Sequence, residues 1–449
     1  ERAGPKITVH AIGEILTCTF DATEQEEQIK QIPLKTGNIA EDADNRWGDV
    51  GQFRKNDQRP LVDAMVYAGA IVDDLKDRYN WNALDGKGGD ISIGVHWGEN
   101  YNNACFSPSQ EAFYLGDGDG KEMDFLSAKD ILAHEFGHAI SYYTVRFEGP
   151  IRRAVKKKDG ETKYYLTLYP EHCALDEGIA DVFALLCDRS DGEIASEIFA
   201  RAETRKATAV RKPGKPWKAD QNPPLLRPLV HHRLGQYDYR EEGEHPQGGG
   251  FRITQYPHVT CGIVSHAFHL LIHGGKHQGS GISVNGINYD MAGEIFFHAV
   301  TNGLKGKRRP TFLQFREAMI DAVEDIFEQR VTPMRFLGIM ESVKNALTAV
   351  GIGPDLYIRN DTDDDGSRPH GFTPADSPDI ELREKGTGRV AEEIVPGRDY
   401  EFNIRVQNRG TDRDKIGFTI AICWEDSPDR EAGCKWRQIT PMTRKSTFT

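Results

Sequence analysis

The sequence contains no apolar run that approaches the roughly 18 residues of a membrane-spanning helix, so no such helix is expected. A formal net charge of −13 at pH 7 argues against a general nucleic-acid-binding protein. The first residues, ERAGPKITVH, have no signal-peptide pattern, which fits a cytosolic chain or a mature form whose leader has been removed. At 449 residues, the chain is long enough for two or three domains with sizeable cores.

Patterns of disulfide-rich and phosphate-binding proteins are also missing. The seven cysteines are scattered, odd in number and form no CxxC pair, which argues against a dense disulfide framework. The glycine-rich segment GDGDG at 116–120 lacks the lysine and the following Ser or Thr of a phosphate-binding loop. We therefore expect it to form a turn-rich loop.

The stretch HEFGH carries the clearest chemical pattern. Apolar residues recur at helical spacing around it, and Ser127 with Asp130 forms an S-x-x-D helix start. On a helix, His134 and His138 project from the same face and can hold a zinc ion, with Glu135 beside the metal as a base. The alternative for HExxH alone is a helix whose histidines form hydrogen bonds elsewhere.

A second predicted helix, over about 173–188, offers the rest of a zinc site. A catalytic zinc takes three protein ligands and keeps one position open for water. Glu177 and Asp181 lie four residues apart in an otherwise apolar helix, and lone carboxylates are rarely buried without partners. We therefore expect Glu177 to be the third ligand and Asp181 to accept the free N–H of a zinc histidine.

The hydrophobic pattern changes along the chain. A helical pattern over 61–80 precedes a strand-like run, and the basic segment 151–169 holds an Asp-Gly pair between β-prone runs, which predicts a hairpin. Residues 258–350 have mostly helical spacing. After residue 353 the apolar residues alternate, so we expect a separate small β-sandwich there.

The chain resembles the thermolysin family of zinc endopeptidases in three segments: YNNACFSPSQEAFYLGDGDG, AKDILAHEFGHAISYYT and ALDEGIADVFA. The segment PHVTCGIVSHAFHLLIHGG resembles the one that carries the family's second catalytic histidine, and the likeness runs over about residues 7–352. It implies an α+β fold with a β-rich N-terminal lobe that includes the HExxH helix (1–140) and a mainly α-helical lobe (141–352). The predicted immunoglobulin-like β-sandwich (353–449) follows.

The resemblance also implies roles for individual residues. It implies one zinc ion held by His134, His138 and Glu177, with Glu135 as the general base. The further implied roles are oxyanion stabilisation by His258 and Tyr169, binding of the substrate backbone by Asn103, Ala104 and Arg227, and calcium binding by Asp130 and Asp188. The acid-rich loop of the family's calcium site is short here, which favours one calcium ion over a double site.

Three features depart from the family pattern. Gly137 stands where the family usually has threonine, and close packing against a neighbouring element would explain a glycine inside a helix. The spacing of 39 residues from His138 to Glu177 is longer than in thermolysin, and the predicted basic hairpin accounts for the difference. No acid precedes His258 in RITQYPH, so two alternatives stay open: this histidine is less basic than its counterpart in the family, or Glu244 or another acid reaches it.

The implied activity is cleavage of peptide bonds within protein or peptide substrates, outside the cell. Four apolar residues fall where the family lines its pocket for the side chain after the cut bond, and they predict a hydrophobic preference: Met123, Leu126, Ile131 and Leu226. Two alternatives stay open, an exopeptidase whose cleft is closed at one end and a non-catalytic binding or adhesion protein on a peptidase scaffold. The C-terminal sandwich is expected to bind a substrate, a surface or another protein.

Overall fold

The chain forms two compact units, Glu1–Asp412 and Arg413–Thr449. The computed structural model describes residues 5–11, 38–39, 57–98, 100–156, 163–168, 171–189, 192–196, 241–244, 250–253, 257–277, 280–353, 356–357, 359, 362, 377–391, 395, 397–408, 423–424 and 437–438. No helix within these residues is both long enough and apolar enough to cross a bilayer.

The N-terminal part of the first unit is built around a mixed sheet. Its elements are β1 (Ile7–Ala11), β2 (Asn38–Ile39), α1 (Arg59–Tyr79), β3 (Ile91–Trp97), β4 (Ala104–Ser107), β5 (Ala112–Gly116) and α2 (Lys129–Thr144). The strands lie in the order β2-β1-β3-β5-β4. β3 pairs in parallel with β1 and β5, whereas β4 pairs antiparallel with β5 and is one of the two outer strands of the described sheet.

The central strand β3 is apolar along most of its length because both of its faces are covered. Its register with β5 shifts between Gly94 and Trp97, where His96 adopts a left-handed backbone with φ of 58°. The buried His96 ring bridges two segments: Nδ1 lies 2.8 Å from Asp117 Oδ1 and Nε2 lies 2.9 Å from the Asp57 carbonyl oxygen. This contact ties the end of β3 to the loop that follows β5.

Helix α2 lies inside the molecule, and most of its side chains are buried. The predicted S-x-x-D start is wrong, because the N-cap position is occupied by Ala128, which has no side-chain acceptor. Ser127 lies one residue too early and donates instead to Asp63 Oδ2 at 3.4 Å. Asp130 accepts from the Ile131 backbone N–H at 2.8 Å. Tertiary burial, and not a local cap, therefore stabilises this helix.

The second half of the first unit is mainly helical, as predicted for 258–350. Its elements are β6 (Ile151–Lys156), β7 (Lys163–Leu168), α3 (Glu171–Cys187), β8 (Glu241–Glu244), β9 (Gly250–Ile253), α4 (Pro257–Thr260), α5 (Gly262–His273), β10 (Gly275–Lys276), β11 (Ser283–Val284), α6 (Tyr289–His298) with a π-helical turn (Ala299–Gly303), α7 (Phe312–Phe327) and α8 (Pro333–Ala349). Antiparallel pairing of β6 with β7 confirms the predicted hairpin. One apolar core includes residues of the N-terminal sheet and of every helix from α1 to α8 except α4.

Toward the C-terminus the described residues form short two-stranded pairs. The strands are β12 (Leu356–Tyr357), β13 (Ile380–Glu384), β14 (Tyr400–Ile404), β15 (Gln407–Asn408), β16 (Cys423–Trp424) and β17 (Arg437–Gln438). β12 pairs with β15 and β13 with β14 in the first unit, and β16 pairs with β17 in the second. The immunoglobulin-like sandwich over 353–449, like the other domain boundaries, stays a prediction.

Candidate active site

Three of the predicted ligands come together between α2 and α3. His134 and His138 lie one turn apart on α2, and one ligand atom from each lies within 4.8 Å of a Glu177 oxygen and of the other. Glu177 Oε2 is 3.5 Å from His134 Nε2, and Oε1 is 3.8 Å from His138 Nε2. Tetrahedral zinc places its N and O ligands roughly 3.3–3.6 Å apart. The donor set and its spacing therefore fit a zinc ion, and no other group of three potential ligands in the described residues is this close.

Two glycines allow the helices around this site to approach closely. A β-carbon on Gly137 would lie 2.7 Å from the Cα of Ala180 and 3.0 Å from the Phe183 ring. One on Gly178 would lie 2.6 Å from the Cβ of Val264, on α5. Such distances are too short for real contacts, so only glycine fits at these positions. The packing explanation predicted for Gly137 is confirmed.

Each histidine of the cluster has a carboxylate next to its second ring nitrogen. His134 Nδ1 lies 3.1 Å from Oδ1 of Asp181, whose side chain is fully buried. His138 Nδ1 lies 3.4 Å from Oδ1 of Asp176. Such partners fix the orientation and the tautomer of a metal-binding imidazole. The contact of Asp181 was expected, but Asp176 was missed, although an acid directly before Glu177 in an apolar helix was a usable signal.

The charges of the cluster shift the pKa values of its members strongly. Burial alone would lower the pKa of His138, but Asp176, Glu177 and Glu135 outweigh it and raise this pKa to about 10. Burial also acts to lower the pKa of His134, but Asp181 and Glu177 outweigh it and raise this pKa. Burial would raise the pKa of Glu177, yet the surrounding imidazoles hold it well below 4.5. A pocket that favours protonated imidazoles this strongly has a negative potential, which also favours a metal cation.

Glu135 lies between the ligand cluster and the sheet edge. The residue is 7% exposed, and its Oε2 accepts a hydrogen bond of 2.8 Å from the backbone N–H of Phe106. Because Phe106 belongs to β4, this bond fixes the carboxylate relative to the outer strand of the sheet. The geometry places an acidic side chain beside both the ligand cluster and an available strand edge.

Asn103 and Ala104 lie at the start of that outer strand. The Asn103 carbonyl accepts from Gly116 N–H at 3.1 Å, so this side of the segment is engaged by β5. The opposite edge of β4 carries no further strand in the described sheet. Asn103 is exposed. An extended peptide can therefore add to this edge.

His258 reaches the ligand cluster from α4. Its Nε2 lies 3.2 Å from Glu177 Oε1, and its side chain is 46% exposed. One acid in contact with this histidine is therefore Glu177, in a helix more than 70 residues earlier in the chain. The side chain of Glu244, the other candidate, lies outside the described residues. Cys261 donates its S–H to the His258 carbonyl at 3.1 Å, which closes the short helix around the histidine.

The structure describes some of the remaining predicted residues and not others. Tyr169, Arg227 and Leu226 lie outside the described residues. Asp130 is buried and accepts from the backbone N–H of Ala195, so it ties the segment after α3 to the start of α2. Asp188 directly follows α3. Among the apolar residues predicted to line a specificity pocket, Leu126 and Ile131 are buried and Met123 is half-buried.

Comparison with known proteins matches two family models in succession. Residues 8–141 match the thermolysin metallopeptidase catalytic domain, and residues 165–352 match the thermolysin metallopeptidase alpha-helical domain. A thermolysin from Bacillus sp. (strain EA1) is 30% identical over 315 residues, which cover 68% of this chain and 48% of that protein. The thermostable neutral protease NprT of Geobacillus stearothermophilus is 29% identical over 324 residues, 70% of this chain and 48% of that protein.

A solved structure supports the same fold. The precursor of protealysin, a metalloproteinase from Serratia proteamaculans, superposes with a TM-score of 0.52 at 18% identity, covering 78% of this chain and 89% of that one. The chain therefore belongs to the thermolysin family of metallopeptidases, as its motifs indicated. It spans about half the length of the curated relatives that it matches.

Proposed function

We propose that the chain is a zinc-dependent endopeptidase that hydrolyses peptide bonds within protein or peptide substrates. The observation that supports this most is the convergence of His134, His138 and Glu177, with Glu135 beside them and next to a sheet edge. A metal ligand set alone would also suit a structural site. A buried carboxylate next to it, close to a place where an extended chain can bind, favours catalysis.

His134, His138 and Glu177 would hold the zinc, which supplies Lewis-acid activation of water at neutral pH. Glu135 takes the proton of the attacking water as the oxygen bonds to the peptide carbonyl carbon, and it passes that proton to the leaving amine as the C–N bond breaks. His258 donates a hydrogen bond to the developing oxyanion, together with Tyr169 in the family's pattern.

Substrate binding would use the outer edge of β4. Asn103 and the Ala104 carbonyl hold the peptide backbone in an extended conformation, and Arg227 binds a substrate carbonyl. The half-buried Met123 and the buried Leu126 and Ile131 support an apolar pocket for the side chain after the cut bond. A peptide library in which charged residues are preferred at that position would contradict this specificity.

Three further proposals rest on the family resemblance. One calcium ion binds near Asp130 and Asp188; the bond from the Ala195 N–H to Asp130, which ties the segment after α3 to the start of α2, supports this site. The protein works outside the cell, where the family it resembles works. The C-terminal sandwich predicted over 353–449 binds a substrate, a surface or another protein. Deletion of residues 413–449, the last part of this segment, would test the proposal through substrate affinity.

The central experiment compares wild-type protein with Glu135→Gln in a casein or quenched-peptide assay. We expect the variant to lose activity by a factor of at least about 10³ while it retains one zinc per chain by elemental analysis. Wild-type activity should disappear with 1,10-phenanthroline and return with zinc. Equal activity of the two proteins would overturn the proposal, and so would the absence of bound transition metal.

The mode of cleavage needs a separate test. An endopeptidase cleaves a peptide with a blocked N-terminus, whereas an aminopeptidase does not. We expect internal cleavage of an N-acetylated, C-amidated peptide at a rate close to that of the free peptide. Cleavage of the free peptide alone would establish the exopeptidase alternative, with the same catalytic residues. Binding without cleavage of either peptide would favour the non-catalytic alternative.

A further inference from the structure

The GDGDG loop, residues 116–120, packs against the segment that leads into β4. Gly116 donates its N–H to the Asn103 carbonyl at 3.1 Å, and Gly118 donates to the Tyr101 carbonyl at 3.0 Å. A β-carbon on Gly116 would collide with both of these carbonyl oxygens. The glycines therefore serve a close backbone approach, which a side chain of any size would prevent.

One aspartate of this loop forms a reciprocal pair with Asn102. The Asp119 backbone N–H donates to Asn102 Oδ1 at 2.7 Å, and Asn102 Nδ2 donates to Asp119 Oδ2 at 3.0 Å. The second carboxylate oxygen, Oδ1, accepts from the backbone N–H groups of Lys121, Glu122 and Met123 at 2.9, 2.8 and 3.2 Å. Asp119 Oδ2 therefore binds the segment before β4, and Oδ1 binds the amides that follow Asp119 in its own loop.

These bonds connect two parts of the proposed substrate site. Asn102 directly precedes Asn103, the residue expected to bind the substrate backbone, and Met123 belongs to the proposed specificity pocket. The loop is closed further by a 2.9 Å bond from Gly120 N–H to the Met123 carbonyl. Burial acts to raise the pKa of Asp119, but the hydrogen bonds from Asn102 and the three amides lower it, so the carboxylate stays ionised at neutral pH.

We propose that Asp119 is a positioning residue that holds the Asn102–Asn103 edge in the extended conformation required for peptide addition and joins it to the Met123 side of the pocket. The inference rests on the proposed peptidase function. Asp119 does not touch the ligand cluster in any described contact, so its effect falls on substrate binding. An edge that is not ordered in advance must be ordered by the substrate, which raises KM and leaves kcat little changed.

An exchange of the two side chains tests this pairing. In Asp119→Asn, an amide N–H replaces the acceptor Oδ2 and opposes the Nδ2 donor of Asn102, so this hydrogen bond is lost. In Asn102→Asp, a carboxylate oxygen replaces the donor Nδ2 and opposes the Asp119 carboxylate, so the bond is lost and the two charges repel. The double variant Asp119→Asn/Asn102→Asp restores one donor opposite one acceptor and keeps the three amide bonds and the net charge. We expect each single variant to raise KM about tenfold, with kcat and zinc content within about twofold of wild type, and the double variant to recover most of the loss.

Asp85→Asn is a matched control. Asp85 is another loop aspartate whose Oδ1 accepts backbone N–H groups, from Lys87 at 2.8 Å and Gly89 at 3.2 Å, and it has no place in the proposed substrate site. This variant should leave KM unchanged. Unchanged KM in both single variants would overturn the proposal, and so would a double variant as impaired as the two single variants combined.

Hydrogen exchange separates this inference from the peptidase proposal. Exchange at the amides of residues 101–107 should rise about tenfold in each single variant and return toward wild type in the double variant, whether or not the protein cleaves peptides. If wild type cleaves nothing but the exchange pattern holds, the peptidase proposal fails and the positioning role of Asp119 stands. If exchange is the same in all four proteins, the positioning role is refuted.

Discussion

Gly137 lies against Ala180 at the point where α2 crosses α3. A β-carbon on Gly137 would lie 2.7 Å from the Cα of Ala180, closer than real carbon contacts allow. The absence of a side chain at this position therefore sets the distance between the two helices that carry the proposed zinc ligands. Because His138 follows Gly137 directly, a change in this distance also moves a ligand.

Gly137→Ala should destabilise the protein even though alanine favours helix formation. Overpacking of a buried contact costs about 1–3 kcal/mol, which exceeds the gain of up to about 1 kcal/mol from helix propensity. Gly338→Ala is the control, since Gly338 is an exposed helical residue with no atom within 4 Å of its hypothetical β-carbon. Urea unfolding should show a loss in the first variant and a small gain in the second. A gain in both would contradict the packing argument.

Asp181→Asn and Asp176→Asn should weaken zinc binding without removing a ligand. Loss of the charged partner of a metal-binding imidazole typically costs about ten- to hundredfold in metal affinity. The larger effect is expected for Asp181, because it is fully buried and lies 3.1 Å from its histidine, whereas Asp176 lies 3.4 Å from its own. Competition with a chromophoric zinc chelator measures this affinity.

Asp290→Asn is the control for the zinc measurements, since the Asp290 side chain is 80% exposed and forms ion pairs with Arg78 and Arg189, away from the ligand cluster. It should leave zinc affinity unchanged. Affinities equal to wild type in both carboxylate variants would show that the two aspartates do not support the histidines.

Acid should destabilise the protein partly through His269. Burial lowers its pKa to about 4, helped by the nearby rings of His273 and His266. Since the unfolded residue has a pKa near 6.5, the unfolded state binds more protons between these values, and stability falls as pH drops from about 6.5 to about 4. The shift corresponds to about 3 kcal/mol at most.

His269→Gln should therefore flatten the acid side of the stability profile. Urea unfolding at pH 7 and pH 4.5 would show a smaller difference in the variant than in wild type. His273→Gln, which removes one neighbouring ring, should give a smaller change in the same direction. The same pH dependence in all three proteins would exclude a contribution from His269.

Met123→Asp should change the proposed specificity. The Met123 side chain is half-buried beside the proposed pocket, so a carboxylate there disfavours apolar side chains after the cut bond and favours lysine or arginine. Cleavage of a peptide library with one variable position, followed by mass spectrometry, measures the change. A profile identical to wild type would place Met123 outside the pocket.

Much of the candidate site follows from short-range sequence patterns. The four-residue spacing of His134 and His138 on a helix, and that of Glu177 and Asp181, fixed which side chains share a face. The helices of 258–350 and the 151–169 hairpin were also predictable, because their periods and turn residues are local. The start of α2 was not predictable, because Ser127 donates to Asp63 on α1 instead of capping α2.

By itself, the sequence determined the residue types of the proposed metal site, their helical spacing and the family. Only the tertiary structure decided which acids meet which histidines: Asp176 faces His138, and Glu177 faces His258. The tertiary structure also shows that the GDGDG loop packs against the segment before β4. The physical reason is that periodicity and turn chemistry act over a few residues, whereas these contacts depend on how closely whole helices and loops pack, which short-range patterns do not encode.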